Sequence, residues 1–360
     1  MLTLPLAITP AVLLLYSRIG ISCFLLAAGI YFLVNRKKRL HRLLGGVLLF
    51  WMLLHVKDLL LISAPLSDPG LERLCICIDM LAVPTCAFLL LELTCPGWFT
   101  WRRALLHEGP FLLLLLLYLF LPSGLVFYTD VLLALGYGLG IIARLFRTIP
   151  AYNRVLRENF SNTERLDLEW LWKLLIFFIL FLGIWAYTSL QISADIDILY
   201  NVVSGILWCV ICYNIHKQQP LVLAEATAPQ PSGSVPDGSY PEFSDSLERL
   251  FSEQKIWLNP RLTIGEVAQR LGSNRTYLSD YLNHTLGTTF YEYVNEYRIR
   301  AVAERLAAPE CSMTIEALAE SCGFNSVSTF RRVFTRRYGC TPTRYRIRQA
   351  RKRPTPGSVA

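Results

Sequence analysis

Four arginines, Arg331, Arg332, Arg336 and Arg337, crowd one short apolar-periodic stretch of this sequence. Guanidinium groups in such a row donate in a planar fork that fits phosphate oxygens and the edge of a guanine. After Glu320 no acidic residue follows, while ten Lys and Arg do, up to Arg353. Residues 241–360 hold 18 Lys and Arg against 12 Asp and Glu. A field of one sign at this end suits a polyanion, either nucleic acid or an anionic membrane surface.

The residues around the arginines repeat. Thr263, Ile264, Val267, Ala268 and Gly272 recur 51 positions later as Thr314, Ile315, Leu318, Ala319 and Gly323. Beyond the glycine the offset becomes 52, so that Leu278, Leu282 and Gly287 match Phe330, Phe334 and Gly339. Each copy reads as helix, tight turn, helix. Thr263 with Glu266 three residues on makes a capping box, and Thr314 caps the second copy with Glu316 in its first turn. Gly272 and Gly323 supply the left-handed turn residue. Tyr277, Leu278, Tyr281 and Leu282, like Phe330, Val333 and Phe334, form the buried side of each second helix. Between the copies, Phe290, Val294, Tyr297, Ala301 and Val302 follow helical spacing up to Pro309. A rigid helix there would set two recognition helices about 34 Å apart, one turn of a duplex.

The stretches WLNPRLTIGEVAQRLGSNRTYLSDYLN, FYEYVNEYRIRAVAERL and TIEALAESCGFNSVSTFRRVFTRRYGCTPTRYR carry a resemblance. Residues 242–348 resemble the DNA-binding domain of AraC/XylS-type transcriptional regulators. GFNSVSTFRRVF followed by Gly339, Pro342, Tyr345 and Arg346 is its most specific part. The resemblance implies that Thr276, Ser279 and Asp280 in copy one, and Val327, Ser328, Thr329 and Arg332 in copy two, face base edges. Arg332 suits a guanine, Asp280 a cytosine amine and Val327 a thymine methyl. Arg275, Arg331, Arg336 and Arg337 are expected on phosphates, giving affinity without sequence reading. Asp280 stands where family members often carry a basic or amide residue, so copy one is expected to add less affinity or to give narrower specificity. Double-stranded DNA is the implied partner. RNA polymerase, a small-molecule or membrane-protein signal and a second copy of the chain are the others that such a regulator brings.

The first 216 residues have another character. The chain of 360 residues is 53% hydrophobic and 17% charged, with mean hydropathy +0.39, against about 25% charge in soluble domains. Seven stretches approach the about 20 apolar residues that cross a bilayer: 12–34, 43–63, 73–94, 104–122, 126–146, 170–190 and 196–215. The N-terminus lacks the basic region and cleavage site of a removable leader. The first, third and fifth loops are basic, carrying Arg36 to Arg42, then Arg102 and Arg103, then Arg147 to Arg165. The alternate loops carry Asp68, Glu72, Asp195 and Asp197. This asymmetry places the N-terminus outside and the C-terminal domain in the cytoplasm of a bacterial inner membrane.

The expected fold is therefore all-α. A seven-span membrane sensor domain (1–216) leads through a Pro-rich flexible linker (217–241) to the double helix-turn-helix domain (242–348) and a basic disordered tail (349–360). A seven-span domain ahead of such a module resembles membrane-bound members of Bacteroidetes-type bacteria. Arg18, Lys57, Asp58, Asp79, Glu92, Asp130 and Lys173 fall inside the spans. Lys57, Asp58, Asp79 and Asp130 are the candidate ligand-binding set, lying toward the outer side; the alternative is an ion network that fixes helix packing. The loop at 159–174 is a candidate relay between the two halves.

No HExxH, GxSxG or paired His/Asp constellation appears, so no catalytic residue, metal or cofactor is expected. Cys209 and Cys212 have CxxC spacing without a second pair. A membrane enzyme or transporter with a regulatory DNA-binding module is the alternative function. Binding of anionic lipid by the basic domain is a third, disfavoured by the paired caps and turn glycines, which a surface helix does not need.

Overall fold

The computed structural model describes residues 9–34, 39–61, 69–163, 166, 168–188, 194–217, 240–308 and 312–351. It contains no strand among them, only a single antiparallel bridge between Phe160 and Thr263. The chain divides into two units, residues 1–152 with 168–220 and residues 153–167 with 221–360.

The first unit is built from α1 (Pro10–Val34), α2 (Arg39–Leu60), α3 (Pro69–Asp79), α4 (Ala82–Thr94), α5 (Trp101–Phe120), most of α6 (Gly124–Asn159), α7 (Glu169–Thr188) and α8 (Ala194–Lys217). Each of the seven apolar stretches has its helix. Six are long and apolar enough to cross a membrane, with α3 and α4 counted as one. The seventh, α7, is apolar over Trp170–Ile184. The third stretch breaks at Met80 and Leu81 because Pro84 has no N–H to give the carbonyl four residues back. Gly29 and Gly45 bring α1 and α2 together: a Cβ on Gly45 would sit 2.9 Å from the Gly29 carbonyl oxygen. Leucines on α5, Leu105, Leu106, Leu113 and Leu116, are more than half exposed, an apolar surface of the kind that meets a bilayer or another protein.

The fifth basic segment differs from the loop expected of it. Arg147, Arg154 and Arg157 are helical, because α6 continues past residue 146 to Asn159 and carries all three.

The second unit has one apolar core. Its elements are α9 (Tyr240–Ser252), a short 3₁₀ turn (Ile256–Leu258), α10 (Ile264–Arg270), α11 (Arg275–Asp280) with a π turn (Tyr281–Thr285), α12 (Phe290–Ala307), α13 (Ile315–Ser321), α14 (Val327–Tyr338) and α15 (Pro342–Arg351). The stretch read as a tail from residue 349 is helical through Arg351. The Pro-rich linker and the end of the chain fall mostly outside the described residues. Phe243, Leu247, Leu250 and Phe251 bury one side of α9 against the core.

Candidate nucleic-acid interface

The two copies form as two helix-turn-helix motifs. The Thr263 hydroxyl accepts from Glu266 N, and Glu266 Oε2 accepts from Thr263 N at 2.9 Å, closing the expected capping box. Thr314 Oγ1 accepts from Ala317 N at 3.1 Å. Gly272 and Gly323 hold φ of 64° and 83°. The second helices start from unforeseen caps: Asn274 accepts from Tyr277 N, and Ser326 from Ser328 N and Thr329 N. These caps stand 52 residues apart, the same offset as the apolar residues after them. Gly287 and Gly339 close both second helices at φ of 62° and 67°. Leu278, Leu282, Phe330 and Phe334 are buried, so the opposite face of each second helix is left for a partner.

That face differs between copies. On α14 the exposed stripe is Ser328, Arg331, Arg332, Thr335 and Arg336, with Arg337 at its edge and Val327 and Thr329 half-buried in the first turn. Thr335 was not foreseen; its place between the arginines at i+3 and i+4 spacing is the signal for it. Each outer arginine has a carboxylate: Arg331 meets Glu316 at 2.9 Å, Arg336 meets Glu292 at 3.6 Å and Arg337 meets Glu296 at 3.1 Å. Such exposed pairs are worth about 0–1 kcal/mol, so a phosphate replaces the carboxylate at small cost. Arg332 lies near the Tyr291 phenol. On copy one Thr276 and Asp280 are exposed, Ser279 is half-buried and accepts from Asn283 at 3.2 Å, and Arg275 is half-buried in the first turn. Asp280 faces His284 at 3.5 Å.

Helix α12 links the copies, capped by a box of Thr289 and Glu292. Its Arg298 is 1% exposed. The guanidinium donates to Trp257 O at 2.8 Å, Asn259 O at 2.8 Å, Ser161 O at 3.2 Å and Ser161 Oγ at 3.3 Å. It also stands 5.9 Å from the Phe324 ring centre, in the turn of copy two. Burial lowers its pKa to about 10, which leaves it charged at neutral pH. Gly323 fits here because a Cβ would come 2.7 Å from Trp257 O and 3.1 Å from Arg298 Nε. Asn295 Nδ2 reaches Ser161 O as well, at 3.4 Å, and Ser161 N donates to Leu262 O at 3.1 Å. Residues 160–161, next to the end of α6, are thus stitched onto the linking helix inside the second unit.

In the first unit, Asp58 and Asp79 line one cavity, and Lys57 bridges them at 2.9 and 2.8 Å. Asp130 does not join them. It is fully buried beside Cys77, in an apolar cluster of α3, α5 and α6. The expected set of four therefore divides into three neighbours and one outlier. Glu92 acts elsewhere, in the turn after α4, where its carboxylate accepts from Gly97 N and Phe99 N and pairs with Arg39 at 3.0 Å.

Residues 267–348 match the model of a family described as a helix-turn-helix domain. The chain is 32% identical over 110 residues to YtdP, an HTH-type transcriptional regulator of Bacillus subtilis, covering 31% of this chain and 14% of that protein. It is 37% identical over 83 residues to the HTH-type transcriptional regulator Rv1931c of Mycobacterium tuberculosis, 23% of this chain and 31% of that one. It is 30% identical over 94 residues to PqrA of Proteus vulgaris, a probable transcription factor, covering 26% of this chain and 75% of the relative. The chain thus spans well under half of the first two relatives and most of the third. No solved structure gives a significant match. The first two relatives are described as HTH-type transcriptional regulators and the third as a probable transcription factor.

Proposed function

Because the chain belongs, through its C-terminal module, to the AraC/XylS-type transcriptional regulators, we propose that it is a membrane-anchored member that reads DNA sequence from the cytoplasmic face of a bacterial inner membrane under control of a signal met in the bilayer. The observation that carries this reading is the pair of capped, glycine-turned helix-turn-helix motifs joined by one helix. Their exposed second-helix faces are the surfaces that enter successive major grooves. Arg332, Ser328, Val327 and Thr329 are the base readers of copy two; Thr276, Ser279 and Asp280 are those of copy one. Arg331 and Arg336 take phosphates, and Arg275 and Arg337 do so at the margins.

Six long apolar helices with leucine-rich outer surfaces support the anchor, and the basic loops support a cytoplasmic C-terminus. With α7 spanning too, seven crossings put the two chain ends on opposite sides. Ser161, seated on Arg298 and Asn295, supports a route for control. It follows the last turn of α6, so a shift of that helix pulls on the helix that spaces the two readers.

The test joins two measurements on the full chain. Cysteine labelling from either side of the membrane reports where each end lies. Selection of duplexes by nanodisc-embedded protein reports sequence preference. The reading requires a C-terminus reached only from the cytoplasm and enrichment of a defined sequence; an external C-terminus refutes it.

A further inference from the structure

The first unit holds a cavity of about 320 Å³, at the small end of the range of ligand pockets. Its polar lining comes from Arg18, Asp58, Glu72, Asp79 and Asp197, and its apolar lining includes Val83, Leu90, Ile141 and Phe178. Asp58 sits in the last turn of α2, Glu72 and Asp197 in the first turns of α3 and α8. Asp58, Glu72 and Asp197 therefore gather at one end of the helices, Asp79 lies about 10 Å further along α3, and apolar side chains line the rest.

The charges do not balance. Lys57 serves both Asp58 and Asp79, and Arg18 serves Asp197 at 3.5 Å. Glu72 has no ion-pair partner among the described residues; the neighbouring Arg73 lies over the Phe127 ring instead. Four carboxylates thus have two ion-paired cations and the charge of Arg73 beside Glu72. His55 adds an independent sign of a missing partner. It lines the cavity, is 6% exposed, and makes no hydrogen bond among the described residues. A buried imidazole without a partner is costly, and a donor entering the cavity would supply one. Trp51 also lines it.

We propose that this cavity is a receptor site for a small cationic amphiphile, an organic amine with an apolar body. The ammonium enters among Glu72, Asp79 and His55, and the apolar part extends toward Val83, Leu90 and Ile141. An anionic ligand would have to strip Arg18 or Lys57 of its carboxylates and then sit beside uncompensated negative charge. The inference rests on the reading of this unit as a membrane sensor.

The probe set is octylamine, octanol and octanoate, equal in chain length and different in head. Each is titrated against the full chain in phosphatidylcholine nanodiscs while the melting temperature is followed, since a ligand of the native state raises it. Octylamine should raise it saturably and octanoate should not. Glu72→Gln and Asp79→Asn should each weaken the amine response about ten-fold or more, and Asp130→Asn, outside the cavity, should leave it intact. A matching octanoate response overturns the proposal, as does an amine response that survives both cavity variants. A chain that inserts and binds DNA yet ignores octylamine sinks this inference alone. A chain that fails to enter nanodiscs sinks the membrane reading and this one with it.

Discussion

The two helix-turn-helix copies share their caps and turns and differ in charge. Caps, turn glycines and buried residues recur at constant offsets, yet the exposed face of α14 bears four arginines while that of α11 bears Asp280 beside His284. The duplicated part is the part that must place a helix; the divergent part is the part that must recognise. On the proposed reading, copy two would hold DNA and copy one would refine which DNA is held. The copies also differ beneath the surface. Gly323 of copy two presses on the 3₁₀ turn and Arg298, whereas nothing lies within 4 Å of a Cβ on Gly272.

The largest expected effect breaks the frame that both copies share. Arg298→Ala leaves the Trp257 and Asn259 carbonyls and Ser161 without their donor. Loss of a buried, charged donor from several acceptors makes this a cost of roughly 3 kcal/mol. Hydrogen exchange of the full chain should show lost protection in α12 and α14, and unchanged protection would contradict the role given to Arg298. Next comes recognition. Arg332→Ala should cost about 1–3 kcal/mol and relax preference at one base position. Arg336→Ala should weaken all sequences alike and lower the salt slope by about one. Identical behaviour of the two variants would remove the division into base and phosphate contacts.

The glycines sharpen the comparison further. Gly272→Ala should cost about 1–2 kcal/mol, the strain of a left-handed alanine. Gly323→Ala should cost more, because the methyl also meets backbone at 2.7 Å; equal melting losses would contradict that. The smallest effect is expected at Asp280→Asn, about the 0.5–1.5 kcal/mol of a single hydrogen bond and confined to one base position of the copy-one half-site. A loss as large as that of Arg332→Ala would reverse the ranking of the copies.

Much of this is legible in the sequence because it rests on local rules. Thr263, Glu266, Gly272 and Gly323 act through their own backbone, so type and spacing suffice. The apolar spans are legible for the same reason, through length and hydropathy. What escapes depends on contacts far apart in the chain. Arg298 reads as one more charge on an amphipathic helix until Trp257, Asn259 and Ser161 close around it. The pairing of Arg336 and Arg337 with Glu292 and Glu296 needs α12 and α14 side by side. Asp130 groups with Asp58 and Asp79 by depth alone, and depth does not tell which way a helix turns its residues. The caps Asn274 and Ser326 share the 52-residue offset, yet no acidic residue follows either of them to mark a capping box.

The central claim is one rigid pair of readers on a single duplex face. Footprinting by the nanodisc-embedded full chain on its selected duplex tests it most directly. Two protected major-groove segments, centred about 10–10.5 base pairs apart, with the stronger one lost in Arg332→Ala, are the predicted result. A single protected segment, or protection no greater than on random DNA, would contradict it.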